Sequence, residues 1–598
     1  VQAAAVFAIA VAVFAPGLGG PWLFDDHPLI LENPFVHGLG QWHRWLGGAF
    51  WDTSSVSAAT GDGRHFWRPL VLASYALDWT LGGGSPVVFH ATNLLLHGLV
   101  AVLGYFTLRR WVGAGWPAWL AALAWAVHPT KAESVAWISG RPDLLVTLGA
   151  LVALVGLRAR LDRRAWGLPV ELFGAVVAYS SKEHAVVLPL LAAVEAVAHA
   201  GWPRLRGVDR GNLGRAVAPE LILLLGYLVA RQRLLPIVLA EGGAWPAFDA
   251  RVLTVLETYG RFALLTVWPA DLSFGGSLLR FGEAGRMVDV GFVLGGAAYL
   301  TALMAIAWRW RSRLDAVAAV ALSVLLLVPV SNAAVVVNIV MASPRLLYLP
   351  LLGPALLAGI GLGVAPPTRR YALALGLTAT AALAVRGAVR AGDFADARQF
   401  WTYEVAHNPR YLPALEFFVI DELSAARPRS ALKLAVRGFR GAAGTAGQSG
   451  AAAILKHAFE ALLLVTPDVD RATLSALDRF VTDLQEGRPA TFTTRDGDLE
   501  LAIPPHSDAA RELRRDPMAL AALQARLASR LDDDARALAL TREVAARCPD
   551  CGEQRVLVPV AARAEAFGLA RVMVANLQRT QGVGAVTDVV GYLAEAER

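Results

Sequence analysis

The stretch VQAAAVFAIAVAVFAPGLGGPWLFDDHP, residues 1–28, decides the fold. Its first nineteen positions carry no charge, and that length approaches the ~20 apolar residues needed to cross ~30 Å of hydrocarbon. Two adjacent carboxylates, Asp25 and Asp26, follow at once. Further apolar runs come at 86–108, 143–157, 184–198, 217–230, 289–307, 315–330, 346–364 and 371–388. With 56% hydrophobic and 17% charged residues and a mean hydropathy of +0.47, the chain is too apolar for an ordinary soluble protein, so these runs predict an all-α polytopic membrane protein. The first run has neither a basic leader nor an A-x-A-like cleavage site, which reads as a retained first helix rather than a signal peptide. The opening Val, in place of Met, suggests that a few cytoplasmic residues precede it.

Loop charge sets the expected topology. Arginines cluster at Arg109 and Arg110, in RARLDRR (158–164), in RLRGVDRGNLGR (204–215), in RWRSR (309–313) and at Arg369 and Arg370, which marks the cytoplasmic side. The opposite face then owns FDDHP, HPTKAES, SSKEH, SNAAVVVNIVMASPR and everything after residue 388. About eleven crossings follow if 251–268 is re-entrant or interfacial. The first outer loop, 20–85, contains LGQWHRWLGGAFW, whose aromatic spacing suits an amphipathic interfacial helix or a packed loop helix. The net charge of +6 belongs to these loop arginines, and no basic tract with interleaved aromatics points to nucleic acid. Only four of the 55 basic residues are Lys (Lys131, Lys182, Lys433 and Lys456), a usage that fits a GC-rich bacterial genome and would put the outer face in the periplasm.

Residues 1–388 read as the membrane domain and 389–598 as a periplasmic helical domain. In the latter, Ala-, Leu- and Arg-rich segments of helical period are broken near Pro409, Pro467, Pro517 and Pro549, a pattern that suggests stacked helix pairs of tetratricopeptide type. ATFTTRDGDLELAIPP (490–505) reads as a hairpin around Asp496-Gly497. Cys548 and Cys551 form one C-P-D-C, too few ligands for a zinc ribbon and better suited to a local disulfide or free thiols.

Ionisable residues at membrane depth or at helix mouths are costly and are functional candidates by default. They gather on the outer face: Asp25 and Asp26; His65 and Arg68; His90, Asn93 and His97; His128, Lys131 and Glu133; Arg141 and Asp143; Lys182 and Glu183; and Arg345. A carboxylate at the water boundary can act as base on an acceptor hydroxyl while Arg and Lys neutralise a phosphate leaving group. A lipid-phosphate-sugar glycosyltransferase requires that layout. Blander readings stand beside it. The acid pair fits a helix cap or turn equally well, the His90, Asn93, His97 stripe fits interhelical hydrogen bonding, the lysines fit interfacial anchors, and Glu133 and Asp143 fit simple partners of Lys131 and Arg141. Opposite charges from five segments on one face argue against all of these together. Asp25, Asp26 and His27 offer possible metal ligands, but cationic side chains can hold a single phosphate, so no metal is expected.

Taken in order, FDDHPLILENPFV, FWRPLVLASYALDWTLGGGSPVVFHATNLLLH, AWAVHPTKAESVAWISGRPDLL, YSSKEHAVVLPLL, LLLVPVSN and PRLLYLPLLG closely resemble the transmembrane and tetratricopeptide repeat-containing protein O-mannosyltransferases and their bacterial relatives. The resemblance covers about residues 20–360, and FWTYEVAHNPRY (400–411) is similar to the family's join to its repeats. It implies a GT-C fold and inverting transfer from a polyprenyl-phosphate sugar, usually mannose, to Ser or Thr at a non-cytoplasmic site. It puts the catalytic acids at Asp25, as base, and Asp26, orienting acceptor or donor. The donor phosphate would meet Arg345 and Lys182, then Arg68 and Arg141, with His128, Glu133, Glu183, His90, Asn93 and His65 around the pocket. Pro344 stands where the family commonly has an acid before the arginine. No cofactor is implied beyond the lipid-linked donor, and the helical C-terminal domain would present a protein acceptor. A lipid or polysaccharide acceptor, a non-catalytic membrane scaffold and, more weakly, a transporter are the alternatives.

Overall fold

The computed structural model describes residues 1–51, 66–203, 207–234, 248–273, 289–331, 342–364, 369–407, 412–425, 427–441, 455, 471–493, 500–503, 507–514, 517–549, 553–581 and 586–596. His65, most of 331–345, the turn at Asp496-Gly497, and Pro409, Pro467 and Cys551 lie outside them. The chain divides into two compact units, Val1–Asn408 and Pro409–Arg598.

In the first unit the helices are α1 (Gln2–Phe14), α2 (Trp42–Gly47), α3 (Pro69–Gly82), α4 (Pro86–Val112), α5 (Trp116–Ala126), α6 (Ala132–Ala136), α7 (Arg141–Leu161), α8 (Gly167–Tyr179) and α9 (Leu188–His199). They continue with α10 (Arg210–Leu234), α11 (Phe248–Val267), α12 (Val290–Arg309), α13 (Leu314–Leu325), α14 (Leu352–Val364), α15 (Arg369–Asp393) and α16 (Ala397–His407). Proline opens several of them, at Pro69, Pro86, Pro117 and Pro142, where its missing N–H is no loss and its fixed φ suits the first turn. Among the described residues, six helices are long and apolar enough to cross a membrane: Gln2–Gly19, Pro86–Val112, Ile138–Leu161, Arg210–Leu234, Val290–Arg309 and Arg370–Asp393. Gly167–Tyr179, Leu314–Val330 and Leu352–Val364 are shorter apolar helices. Large side chains such as Ile222, Leu225, Leu294, Met304 and Trp308 stand exposed on α10 and α12. Such rows are unstable in water and suit hydrocarbon. The unit is that of a multi-pass helical membrane protein.

The pairing of α7 with α8 shows how this bundle closes. Hydrocarbon gives no hydrophobic drive between helices, so close backbone approach has to supply the contact. Gly149 on α7 faces Gly174 on α8, and Gly156 faces Glu171, whose backbone nitrogen would lie 2.1 Å from a Cβ at Gly156. Beside this seam Arg160 binds Glu171 with two nitrogens, at 2.5 and 2.8 Å.

The second unit is helical with one hairpin. Helices α17 (Leu412–Ser424) and α18 (Pro428–Gly441) pair, α19 (Arg471–Gln485) leads into β1 (Ala490–Thr493), and β2 (Glu500–Ile503) runs antiparallel to β1 with Ala490 opposite Ile503. Next come α20 (Asp508–Leu513), α21 (Pro517–Arg530), α22 (Asp534–Arg547), α23 (Glu553–Arg563), α24 (Phe567–Gln581) and α25 (Thr587–Ala596). One core joins Leu415, Leu477, Phe480, Phe492, Ile503 and Leu523; a second joins Ala525, Val544, Leu557, Ala561 and Met573.

The α7–α8 seam generates a test. Gly156→Ala forces the two backbones apart and lowers the thermal unfolding midpoint in detergent, whereas Gly214→Ala on α10, with nothing within 4 Å of the added carbon, leaves it unchanged or slightly raised.

Candidate active site at the acidic loop

The acid pair follows the first span through a short 3₁₀ segment, Ala15–Gly19, and a turn in which Phe24 takes a left-handed φ of 51°. That conformation is unusual for a bulky residue and persists only where neighbours hold it. The Phe24 ring lies 6.2 Å from the Trp137 ring and 6.3 Å from that of Trp401, and the Trp137 indole donates to the Leu23 carbonyl at 3.1 Å.

The two carboxylates then part. Asp26 is fully buried and accepts from the Leu23 backbone N–H (2.9 Å), the Ser139 backbone N–H (2.9 Å) and the Ser139 hydroxyl (2.5 Å). Burial pushes its pKa up to about 7 against the pull of these donors. Both Asp26 oxygens, expected to orient acceptor or donor, fasten the loop to the turn before α7. Asp25 is half-buried, and its carboxyl is pushed up to about 7 by burial, opposed by the charges of Arg345 and Arg68.

Three cations converge here, each fixed by its own acid. Arg68, which precedes α3, donates to Glu183 Oε2 from Nε (3.2 Å) and Nη2 (2.7 Å) and lies over the Phe66 and Phe50 rings. Lys182 donates to Asp143 at 2.6 Å. Burial lowers the Lys182 pKa, Asp143 opposes that, and the Arg68 and Arg345 charges add to it. Arg345 reaches Glu133 at 3.4 Å and lies 5.0 Å from the centre of the Trp137 ring. Glu133 is buried and accepts from the Ser343 hydroxyl (2.7 and 2.8 Å) and the Arg345 backbone N–H (3.0 Å). It thereby pins the turn that presents Arg345, where Ala342 also takes a left-handed φ of 60°. Glu133 is raised by burial and lowered in part by Arg345.

Other expected residues sit elsewhere. Arg141, expected at the phosphate, is fully buried: it binds Asp78 (2.5 Å), Asn93 Oδ1 (2.7 Å), the Phe89 carbonyl (3.0 Å) and Ser74 (3.2 Å), and so ties α7 to α3 and α4. Asn93 donates to the Trp137 and Ile138 carbonyls, His90 bonds the Gly20 carbonyl at 3.1 Å, and His97 bonds the Tyr348 hydroxyl at 2.7 Å. That stripe stitches α4 to the loops, with His90 and Asn93, expected around the pocket, buried in these bonds. His128 caps the turn at Thr130 and contacts the Thr266 carbonyl at 3.3 Å, while Lys131 bonds the Tyr348 carbonyl beneath Trp125. No group of three or more His, Cys, Asp or Glu among the described residues could hold a metal.

Several contributors were missed from the sequence. Ser139, Ser343 and Asp78 carry no signal of their own, because a serine or a short acid becomes important only through the partner that folding brings to it. His184, beside Lys182 and Glu183, lines a small cleft with Asp143, Val146, Leu326, Leu346 and Leu349. Its imidazole pKa is lowered by burial and by the Lys182, Arg68 and Arg345 charges. Arg390 and Glu404 form a buried ion pair between α15 and α16; an arginine closing the last apolar run was the available clue.

An acid, three paired cations and aromatic rings thus meet in one place in the first unit. The chain is 28% identical over 326 residues to Protein O-mannosyl-transferase Tmtc1 of Drosophila melanogaster, covering 50% of this chain and 37% of that protein. It is 32% identical over 229 residues to Tmtc2 of the same organism (37% and 23%) and 34% identical over 169 residues to human TMTC4 (25% and 22%). The chain is thus a relative of the protein O-mannosyl-transferases, the family its motifs resemble. It spans about a third or less of the length of these relatives. No family model and no solved structure matches it.

The Glu133 clamp can be tested directly. Glu133→Ala leaves two buried donors without their acceptor, at about 1–3 kcal/mol each, and lowers the unfolding midpoint. His27→Ala, at an exposed position one residue past the acid pair, leaves it unchanged.

Proposed function

We propose that the protein is an inverting glycosyltransferase that moves a sugar, mannose first among candidates, from a polyprenyl-phosphate donor to a Ser or Thr hydroxyl of a protein. The observation that carries this reading is Asp25, a half-buried carboxyl with a pKa of about 7 under the charges of Arg345 and Arg68. A base works best when its pKa lies near the operating pH. The names of the relatives, all protein O-mannosyl-transferases, support the same chemistry.

In the proposed step the acceptor hydroxyl attacks the anomeric carbon from the face opposite the phosphate, and its proton passes to the Asp25 carboxylate. The bond from that carbon to the phosphate oxygen breaks, and the oxygen keeps the electron pair. Arg345, Lys182 and Arg68 stabilise the charge that builds there, and because their carboxylate partners already fix them, little reorganisation is needed. Glu133 acts through Arg345 and Asp26 through the loop. No metal is required in this scheme.

The same reading extends to the whole chain. The membrane unit would be a GT-C fold with about eleven crossings in the bacterial inner membrane, its acidic loop facing the periplasm. The second unit would be a tetratricopeptide-like surface that presents a periplasmic protein acceptor, since concave helical-repeat surfaces suit extended peptides.

The test is transfer from polyprenyl-phosphate mannose to periplasmic proteins in detergent, read by intact mass. Asp25→Asn lowers the rate about 100- to 10,000-fold while the protein still folds; an unchanged rate would sink the assignment. The wild-type rate rises as pH increases through about 7 and then levels, because Asp25 must lose its proton to act as base. A plateau already complete at about pH 5, where an ordinary carboxylate is ionised, would point to another base.

A further inference from the structure

Among the described residues, Glu183 Oε1 and the Tyr227 hydroxyl are buried polar atoms without a hydrogen-bond partner. Glu183 gives Oε2 to Arg68, but its Oε1 is shielded from solvent and has no hydrogen-bond partner among the described residues. On α10 the Tyr227 hydroxyl is in the same position, its residue 7% exposed. Arg68, which holds Glu183, directly follows Trp67, and the Trp67 ring packs against that of Tyr227, so the two groups share one neighbourhood. Trp67 is the third member: its ring centre lies 6.2 Å from that of Tyr227, and its indole N–H is anchored on the Leu46 carbonyl at 2.9 Å.

Buried polar groups are nearly always hydrogen-bonded, and an unpaired acceptor next to an unpaired hydroxyl constrains what could complete them. A carboxylate oxygen only accepts, so its partner must donate; a phosphate offers no donor and would be repelled by Glu183. A prenyl chain has no polar atom. A hydroxyl can donate to Oε1 and accept from the phenol, and a ring bearing several hydroxyls can do both while its C–H face packs on the indole. Position agrees with this. Arg68 holds Glu183 with Nε and Nη2, and its charge also acts on Asp25, so a sugar resting on Glu183 would be one guanidinium away from the base.

We propose that Glu183 Oε1, Trp67 and Tyr227 form the subsite for the hydroxyls of the donor's hexose, with Glu183 as a specificity-determining residue. This rests on the lipid-phosphate-sugar reading above. A site built to bond a hydroxyl discriminates strongly against ligands lacking it, because its own buried groups are then left unpaired. Glu183 therefore separates sugar-loaded donor from the sugar-free lipid phosphate, while Arg68, Lys182 and Arg345 hold what the two share.

The experiment compares two probes on the full chain in detergent by native mass spectrometry: undecaprenyl phosphate and its mannosyl ester. Wild type binds both. Glu183→Gln weakens the mannosyl ester by about tenfold or more beyond any change for undecaprenyl phosphate. Tyr227→Phe, which keeps the ring and leaves Arg68 untouched, weakens the mannosyl ester alone and carries the test if the Glu183 variant folds poorly. Equal weakening of both probes by Glu183→Gln, with no selective effect of Tyr227→Phe, means that Glu183 serves only to hold Arg68 and that water fills the gap; the subsite is then refuted and the proposed function stands. Failure of wild type to bind either probe overturns the lipid-phosphate reading together with the subsite.

Discussion

Asp26 is fully buried where the first membrane helix ends, and a charge there is tolerable only because the Leu23 and Ser139 main-chain N–H groups and the Ser139 hydroxyl surround it. Those bonds tie the loop after α1 to the turn before α7. The preceding residue, Asp25, lies under the charges of Arg345 and Arg68. The geometry of the site is thus set by the desolvation of its neighbour.

The same constraint recurs around it. Five cations of the first unit each have a carboxylate: Glu183 for Arg68, Asp143 for Lys182, Glu133 for Arg345, Asp78 for the fully buried Arg141, and Glu404 for Arg390. Leaving one member of such a pair alone costs several kcal/mol, about 3–5 for a buried pair, so the pairs must form together. They also cross between elements distant in sequence, which makes them a scaffold as well as a source of charge. What distinguishes the candidate site from the purely structural Arg141 cluster is access: Asp25, Arg68 and Arg345 keep some exposure, whereas Arg141 keeps none.

Two of the six described non-glycine residues with a left-handed φ flank the site. Phe24, beside Asp25, and Ala342, just before the turn that carries Arg345, both hold a left-handed φ. Tilted and edge-on contacts with Trp137 and Trp401 hold the first, and Glu133 bonding to Ser343 and Arg345 holds the second. Pre-organisation of base and cation is the use this arrangement suggests.

Sequence alone determined the helical membrane character, because a run of apolar residues has no stable alternative to crossing or lying in hydrocarbon, and loop charge is a local property. It also singled out Asp25, Arg68, Lys182, Glu183 and Arg345, because ionisable residues at helix mouths are costly wherever they occur. Which of them face one another was decided only by tertiary structure. Adjacent Asp25 and Asp26 are indistinguishable in the chain, and Ser139, 113 residues away, separates them by binding one. Arg141 looked like Arg68 or Arg345 until Asp78, Asn93 and the Phe89 carbonyl closed around it. His184, Ser343 and Glu404 were invisible for the same reason. The role of a polar side chain is fixed by its partner, and a partner reached through folding leaves no pattern in the local sequence.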